Sequence, residues 1–336
     1  MKTNTIKLSV LDQSPIRKGG TATEALQETT QLAQLTDKLG YTRFWVSEHH
    51  NTRALAGSAP EILIAHLANH TTNIRVGSGG VMLPNHSALK MAENFKLLEA
   101  LFPNRIDMGI GRAPGTDRLT ASLLNPSNQF NPQDFINQLY DLENFFHDAD
   151  GAGTVYQKVK AEPHISTVPS QWLLTSSGES AMFAAHFGMA VSFAHFINPV
   201  GGRDAVEEYR AEFEPSADLK HPKANVAVFA FCNEDEEKAY RQQALMDYRF
   251  VQLETGGSLA PITYDEIKNI SYSNYEKQRI EVNRRRTISG TPEQVKPKIE
   301  ALAAHYGVDE MMLVTYTETI EDKMHSYELF AEMFGL

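Results

Sequence analysis

Three groups of residues have types and spacings that could do chemistry. Glu48, His49 and His50 follow one another at the end of the apolar run RFWVSEHH, which starts at Arg43. A histidine there suits acid–base work or hydrogen bonding, because its ordinary pKa lies near neutrality. Adjacent residues of an extended chain point to opposite faces, so at most one of the two histidines points inward if the strand continues. Second, Ser176, Ser177, Gly178, Glu179 and Ser180 open a helical stretch after the run QWLLTSS. Free N–H groups and hydroxyls at the positive end of a helix suit an anion such as phosphate. Arg112 ends another apolar run, and its planar fork could pair with the same phosphate. The plainer alternatives are that Ser177 only caps its helix and that Arg112 is a structural ion-pair partner. Third, Gly77, Ser78, Gly79 and Gly80 end an apolar run. Glycines there let the backbone lie close against a flat ring.

These residues share one property: each group lies at the C-terminal end of a predicted strand. Ile74 to Ile110 reads as one β-α-β unit: an apolar run into the glycines, a helix carrying Ala88, Met91, Ala92, Phe95, Leu98 and Leu101, and the run Ile106–Ile110. Continuous apolar runs point to a parallel sheet covered on both sides. Further strands are expected from Ile6, Arg43, Gln171, Met189, Ala224 and Glu310, alternating with helices over 22–40, 60–69, 131–148, 179–188, 203–213, 235–250, 291–307 and 320–334. Stretches 151–171 and 251–290 read as polar excursions, the second irregular throughout. Eight β-α units without a Gly/Ser-rich linker predict one α/β domain over 1–336, a (β/α)8 barrel with insertions after strands four and seven. In such barrels chemistry sits at the C-terminal edge. That edge also receives Asp12 and Gln13 from strand one, His195 from strand six, Asn233 from strand seven and Tyr316 from strand eight. The acidic Asn233–Glu237 loop after strand seven would repel the phosphate that many barrels bind there.

Composition narrows the functions. The 336 residues hold 31 basic and 42 acidic side chains, a formal charge of −11, with no basic stripe, so nucleic acid is not expected as a partner. One cysteine, Cys232, allows no intramolecular disulfide and no cysteine metal cluster. No His-x-His pair supports a barrel metal centre, so no metal ligand is assigned. The start MKTNTIKLSVLDQ lacks the apolar core of a signal peptide, and no apolar run approaches the roughly 20 residues of a membrane span. A cytoplasmic protein is expected. Gly109, Gly111 and Gly115 imitate a dinucleotide fingerprint, but Arg112 and Pro114 sit where its helix should begin and no second nucleotide-binding half follows.

Read together, SVLDQSP (from Ser9), GYTRFWVSEHHN (from Gly40), APEILIAHLANHTTNIRVGSGGVMLPNHS (from Ala59), ALFPNRIDMGIGRAPGTD (from Ala100), LLTSSGESAMFAAHFG (from Leu173), SGTPEQV (from Ser289) and YGVDEMMLVT (from Tyr306) resemble the bacterial luciferase-like flavin monooxygenases, in their single-chain branch. The resemblance implies a (β/α)8 barrel, reduced FMN as a diffusible cofactor supplied by a separate flavin reductase, O2 as co-substrate, and a homodimer. It implies His49 as the catalytic histidine, paired with Glu48, and a non-proline cis peptide at Ser78–Gly79 beneath the flavin. It implies phosphate contacts from Arg112, Ser177 and Ser180 beside Ser176, and a pocket-lining His195. Gly111 stands where the light-emitting enzymes carry a reactive cysteine, which speaks against long-chain aldehydes and light emission. The apolar residues Ile62, Leu63, Ile64 and Leu67 extend beyond one helix face and are expected at the dimer contact.

The expected activity is FMN-dependent oxygenation of a small organic substrate. Three alternatives differ in what would reveal them. A deazaflavin-dependent oxidoreductase would show a different cofactor spectrum, and a flavin-binding protein without turnover would consume no oxygen. A metal-dependent barrel hydrolase would carry stoichiometric metal.

Overall fold

The structure is a computed structural model that describes residues 6–336. The first five residues, on which part of the signal-peptide reading rests, lie outside the described residues. Among the described residues nine parallel strands form one sheet: β1 (Lys7–Asp12), β2 (Arg43–Val46), β3 (Arg75–Met82), β4 (Ile106–Gly111), β5 (Ser170–Thr175), β6 (Ala190–Ala194), β7 (Ala224–Cys232), β8 (Thr287–Gly290) and β9 (Glu310–Val314). Strands β1 to β7 and β9 pair in a ring. It closes through β6 against β7, with Val191 opposite Ala224, and through β9 against β1, with Glu310 opposite Lys7. This is the expected eight-stranded (β/α)8 barrel.

The segment after β7 differs from expectation. Its helix continues to Thr255, the short helices Tyr264–Ile267 and Asn274–Asn283 follow, and β8 pairs with Phe229–Cys232 beyond the β6 contact. The 251–290 stretch is therefore not irregular. Its four-residue strand, Thr-Ile-Ser-Gly, has one large apolar side chain and shows neither an alternating nor a continuous apolar pattern.

Local chemistry explains where the helices start and stop. Thr21 and Glu24 form a capping box before the helix Ala22–Leu39, and Gly40 ends it in the left-handed region at φ 87°. Thr291 and Gln294 do the same for Pro292–Tyr306, with Pro292 in the first turn.

Side-chain parity divides the buried residues into two sets. Phe44, Val46, Val76, Ile106, Met108 and Ile110 face the helices and pack with Leu32, Ile64, Phe95 and Leu139. Leu11, Trp45, Trp172, Ala227 and Met312 face the barrel axis. Below them, towards the strands' N-terminal ends, lies an ionic plug. Arg43 donates to Asp107 at 2.6 Å and to Glu310 at 2.6 Å, and its guanidinium stacks 4.6 Å from the Trp172 ring centroid. Arg75 also donates to Asp107, at 2.7 Å. Trp45 and Trp172 meet edge to face at 5.4 Å above the plug. The plug and the tryptophans fill the lower barrel, so open space remains at the C-terminal end.

Candidate active site

A cavity of about 400 Å3 occupies that end, within the range that small-molecule sites occupy. Leu11, Trp45 and Met312 contribute its apolar part, and Gln13, His49, Arg112, Ser176, Ser177 and Ser180 its polar part. The residues expected at the strand ends thus divide. Gln13, His49, Gly79, Arg112, Ser176, Ser177 and Ser180 meet around one space; Asp12, Glu48, Ser78 and His195 do not line it.

Parity accounts for the division. Asp12 precedes the inward Gln13 and points outward, where Lys323 and the Thr29 hydroxyl bond it. Glu48 precedes His49 and is fully buried behind it. Its carboxylate accepts from the Met82 amide at 2.7 Å, His50 Nε2 at 2.8 Å, Asn85 Nδ2 at 3.0 Å and His86 Nε2 at 3.0 Å. Burial pushes the Glu48 pKa up, but the hydrogen bonds and charges of His86 and His50 and the Met82 amide outweigh it, so the group stays below the usual carboxylate range. Glu48, expected as half of a catalytic pair with His49, instead bonds the segment Met82–His86 and does not line the cavity. Asn85 and His86 went unremarked in the sequence, since nothing in the local pattern ties them to Glu48 thirty-seven residues away.

His195 follows the cavity-lining Ala194 and turns outward. Its Nε2 lies 2.8 Å from the Arg285 carbonyl, which can only accept, so Nε2 carries the proton and Nδ1 accepts from the Tyr306 hydroxyl at 2.9 Å. Burial lowers its pKa. It anchors the turn before β8 and is not a lining residue as expected. Ser78 is buried and donates to the Gly109 carbonyl at 2.8 Å. The non-proline cis peptide lies one bond later than expected, between Gly79 and Gly80, where the β3–β4 register shifts. Gly79 faces the cavity; a Cβ there would sit 2.8 Å from Leu11 Cδ1. Gly77 instead makes room for Asp107, whose carbonyl would lie 2.4 Å from a Cβ.

His49 bonds through Nδ1 to the Ser47 hydroxyl at 3.0 Å, and its backbone N–H donates to the Gly57 carbonyl at 3.0 Å. Among the described residues Nε2 has no partner, so it is free to act on a ligand. If Nδ1 donates to Ser47, Nε2 is a base; with the reverse bond it is a donor. Burial lowers the His49 pKa, the neighbouring Glu48 charge opposes this and His50 adds to it, so the ring is neutral at pH 7.

Ser177 does not cap its helix, Gly178–Phe187, with its side chain. Its amide donates to Thr175 Oγ1 at 3.1 Å, and a Cβ on Gly178 would meet nothing within 4 Å. The helix start therefore faces open space with uncapped N–H groups. Arg112 reaches the same place and pairs with Glu179 at 2.6 Å, both side chains being partly exposed. The site combines an anion-binding end, an apolar floor with glycine backbone on one side, and a neutral imidazole.

The chain is similar to known proteins over nearly its whole length. The sequence model for luciferase-like monooxygenases matches residues 6–310. The chain is 48% identical to YwcH of Bacillus subtilis over 98% of this chain and 99% of that one. It is 35% identical to the N-acetyl-S-alkylcysteine monooxygenase of the same organism, over 97% and 98% of the two chains. The crystal structure of apo-MsnO8 superimposes with a TM-score of 0.90 at 35% identity, covering 98% of this chain and 99% of that one. With a family match across most of its length and relatives of this identity, the chain belongs to the luciferase-like monooxygenase family.

Proposed function

We propose that the protein is a two-component flavin monooxygenase: it takes reduced FMN from a separate flavin reductase and uses it with O2 to oxygenate a small organic substrate. The observation that carries this is the uncapped start of the helix Gly178–Phe187, with Ser176, Ser177, Ser180 and Arg112 around it and a cavity of about 400 Å3 running from it to His49. The phosphate of FMN fits the uncapped N–H groups, the serine hydroxyls and the Arg112 fork. The ring system fits between the Gly79 backbone and the apolar residues Leu11, Trp45 and Met312. When bound, reduced flavin supplies the electrons that activate O2.

This chain's own residues do the rest. Arg112 and the helix start fix the phosphate and so the position of the ring. The tryptophan layer and the ionic plug close the barrel from below and keep water out of the reacting space. His49, neutral at pH 7 and held through Nδ1 by Ser47, presents Nε2 to accept or donate one proton.

A C2 homodimer belongs to the same reading. The adjacent helices Pro60–Asn69 and Ala88–Leu101 leave Ile62, Leu97 and Leu101 between 52% and 70% exposed. Ile64 and Leu67, expected at the contact, are instead fully buried in the core. No described helix is long and apolar enough to cross a membrane, and a cytoplasmic enzyme accords with that.

The test is oxygen uptake by purified protein with FMN, NADH and an added flavin reductase. Thioethers head the substrate panel, because the 35% identical relative is named for one. Substrate-dependent uptake with an oxygenated product supports the proposal. A bound cofactor with a deazaflavin spectrum, or flavin binding without any turnover across the panel, would replace it.

A further inference from the structure

One charged group beside the cavity has no partner. Arg249, on the helix Glu236–Thr255, is half-buried and lies with its guanidinium carbon 4.6 Å from the Tyr316 ring centroid. Among the described residues it makes no hydrogen bond and no ion pair. Arg17, by contrast, pairs with Glu28, and Lys18 with Glu266. Arg17, Lys18, Arg249 and Tyr316 line a second, smaller cavity of about 100 Å3. Glu318 lines it too, but its carboxylate accepts from the Tyr264 amide at 2.9 Å and does not pair with Arg249. The Tyr316 hydroxyl bonds Gln13 Oε1, and Gln13 lines the larger cavity. The two cavities therefore adjoin across one side-chain hydrogen bond.

Stacking occupies the face of the guanidinium and leaves its N–H edge free for two parallel bonds. A half-buried guanidinium without a counter-charge is free to take a carboxylate in a charge-assisted, bidentate contact. A space of about 100 Å3 holds a carboxylate and a methylene or two, not a nucleotide. We propose that this smaller cavity seats the carboxylate of the organic substrate, whose apolar body extends past Gln13 into the larger cavity. The substrate is then an organic acid with its oxidisable atom away from the carboxylate. This assignment rests on the larger cavity being the flavin and substrate site.

The test compares acids with their uncharged amides. Binding of phenylthioacetate and phenylthioacetamide, then of 3-phenylpropanoate and its amide, is measured by NMR titration of the whole protein, with and without FMN. The acid should bind about tenfold more tightly than its amide, as a charge-assisted bidentate contact implies. Arg249→Gln should abolish that preference and leave amide binding unchanged; Arg249→Lys should retain part of it. Equal affinity for acid and amide, a preference that survives Arg249→Gln, or no binding by any acid of the panel overturns the proposal. FMN titration of the same variants separates the two readings. Arg249→Gln should leave FMN affinity intact and Arg112→Ala should weaken it. An Arg249-dependent acid preference in a protein that binds no FMN upholds the anion seat and overturns the flavin assignment.

Discussion

Arg112 is engaged by Glu179, and a phosphate arriving at Ser177 has to displace that carboxylate. The pair is partly exposed, and such pairs contribute roughly 0–1 kcal/mol, less than a phosphate held by the helix start and the arginine together. Arg112→Ala should therefore weaken FMN binding by roughly 1.5–3 kcal/mol. Glu179→Gln should tighten it by up to about fivefold, the equivalent of a surface pair released. Flavin titration reads both; unchanged affinity in Arg112→Ala removes Arg112 from the site. His49→Ala should keep flavin binding and lose turnover by about a hundredfold or more. Because burial lowers the His49 pKa from 6.5, the acid limb of turnover should lie below pH 6.5 and vanish in the alanine variant. The gathering of His49, Arg112, Ser176 and Ser177 around one cavity was legible in the sequence, because each follows an apolar run that reads as a parallel strand. Glu48, Ser78 and His195 were misplaced for one physical reason. Each neighbours a residue that faces the cavity, and alternation along the chain turns the neighbour away. Alternation holds at the ends of β2, β3 and β6, whereas Gly111–Ala113 and Leu174–Ser177 line the cavity in succession because the strands end there. Arg249 was beyond reach, since Tyr316 lies far along the chain and meets it only through the pairing of β7 with β9.

At the level of elements, the Glu48 cluster is what holds the turn after β3 against the loop after β2. Glu48 accepts from His86, His50, Asn85 and the Met82 amide. Its folded pKa is lowered, so its contribution is present above the unfolded value near 4.5 and is lost as pH falls through the folded value. Burial pushes the His86 pKa down, but the Glu48 hydrogen bond and charge outweigh it and raise it. The His86 contribution is therefore complete below the unfolded value near 6.5 and is lost as pH rises through the folded value. The two conditions overlap between about pH 4.5 and 6.5. The stability difference between the native protein and Glu48→Gln should be largest in that window and shrink on both sides, as thermal melts across pH 4–8 would show; a flat difference would sink the account. The plug at the opposite end is a stronger case. Arg43→Ala leaves Asp107 and Glu310 buried without their main counter-charge and should cost about 3–5 kcal/mol in chemical denaturation. The eight barrel strands could be read from sequence because each carries large apolar side chains on the face towards the helices, even where Arg43, Asp107 and Glu310 point to the axis. β8 could not, because its four residues, Thr-Ile-Ser-Gly, hold one large apolar side chain, whereas the equally short β2 reads Arg-Phe-Trp-Val.

For the whole molecule, two predictions follow from surfaces and volumes. Ile62, Leu97 and Leu101 stand exposed on adjacent helices, and light scattering at micromolar concentration should find a dimer that Ile62→Glu converts to monomer; a native monomer rejects the contact. The second concerns where the electrons come from. The larger cavity, about 400 Å3, has to hold the flavin and the reacting end of the substrate. The adjoining cavity, about 100 Å3, is too small for a dinucleotide. The glycines that imitate a dinucleotide fingerprint are absorbed by the barrel: Gly109 and Gly111 lie in β4, where a Cβ would sit 2.1 Å from the Ser78 carbonyl or 2.4 Å from Met82 Sδ. They serve close strand packing and do not open a helix onto a pyrophosphate. On the proposed reading neither of these two cavities seats NADH beside the flavin, and FMN should arrive already reduced. Stopped-flow mixing of the protein with NADH and FMN should show no flavin bleaching beyond the protein-free rate, and adding a flavin reductase should start turnover at once. Rapid reduction by this chain alone would contradict the two-component reading and require a nicotinamide site that neither cavity provides.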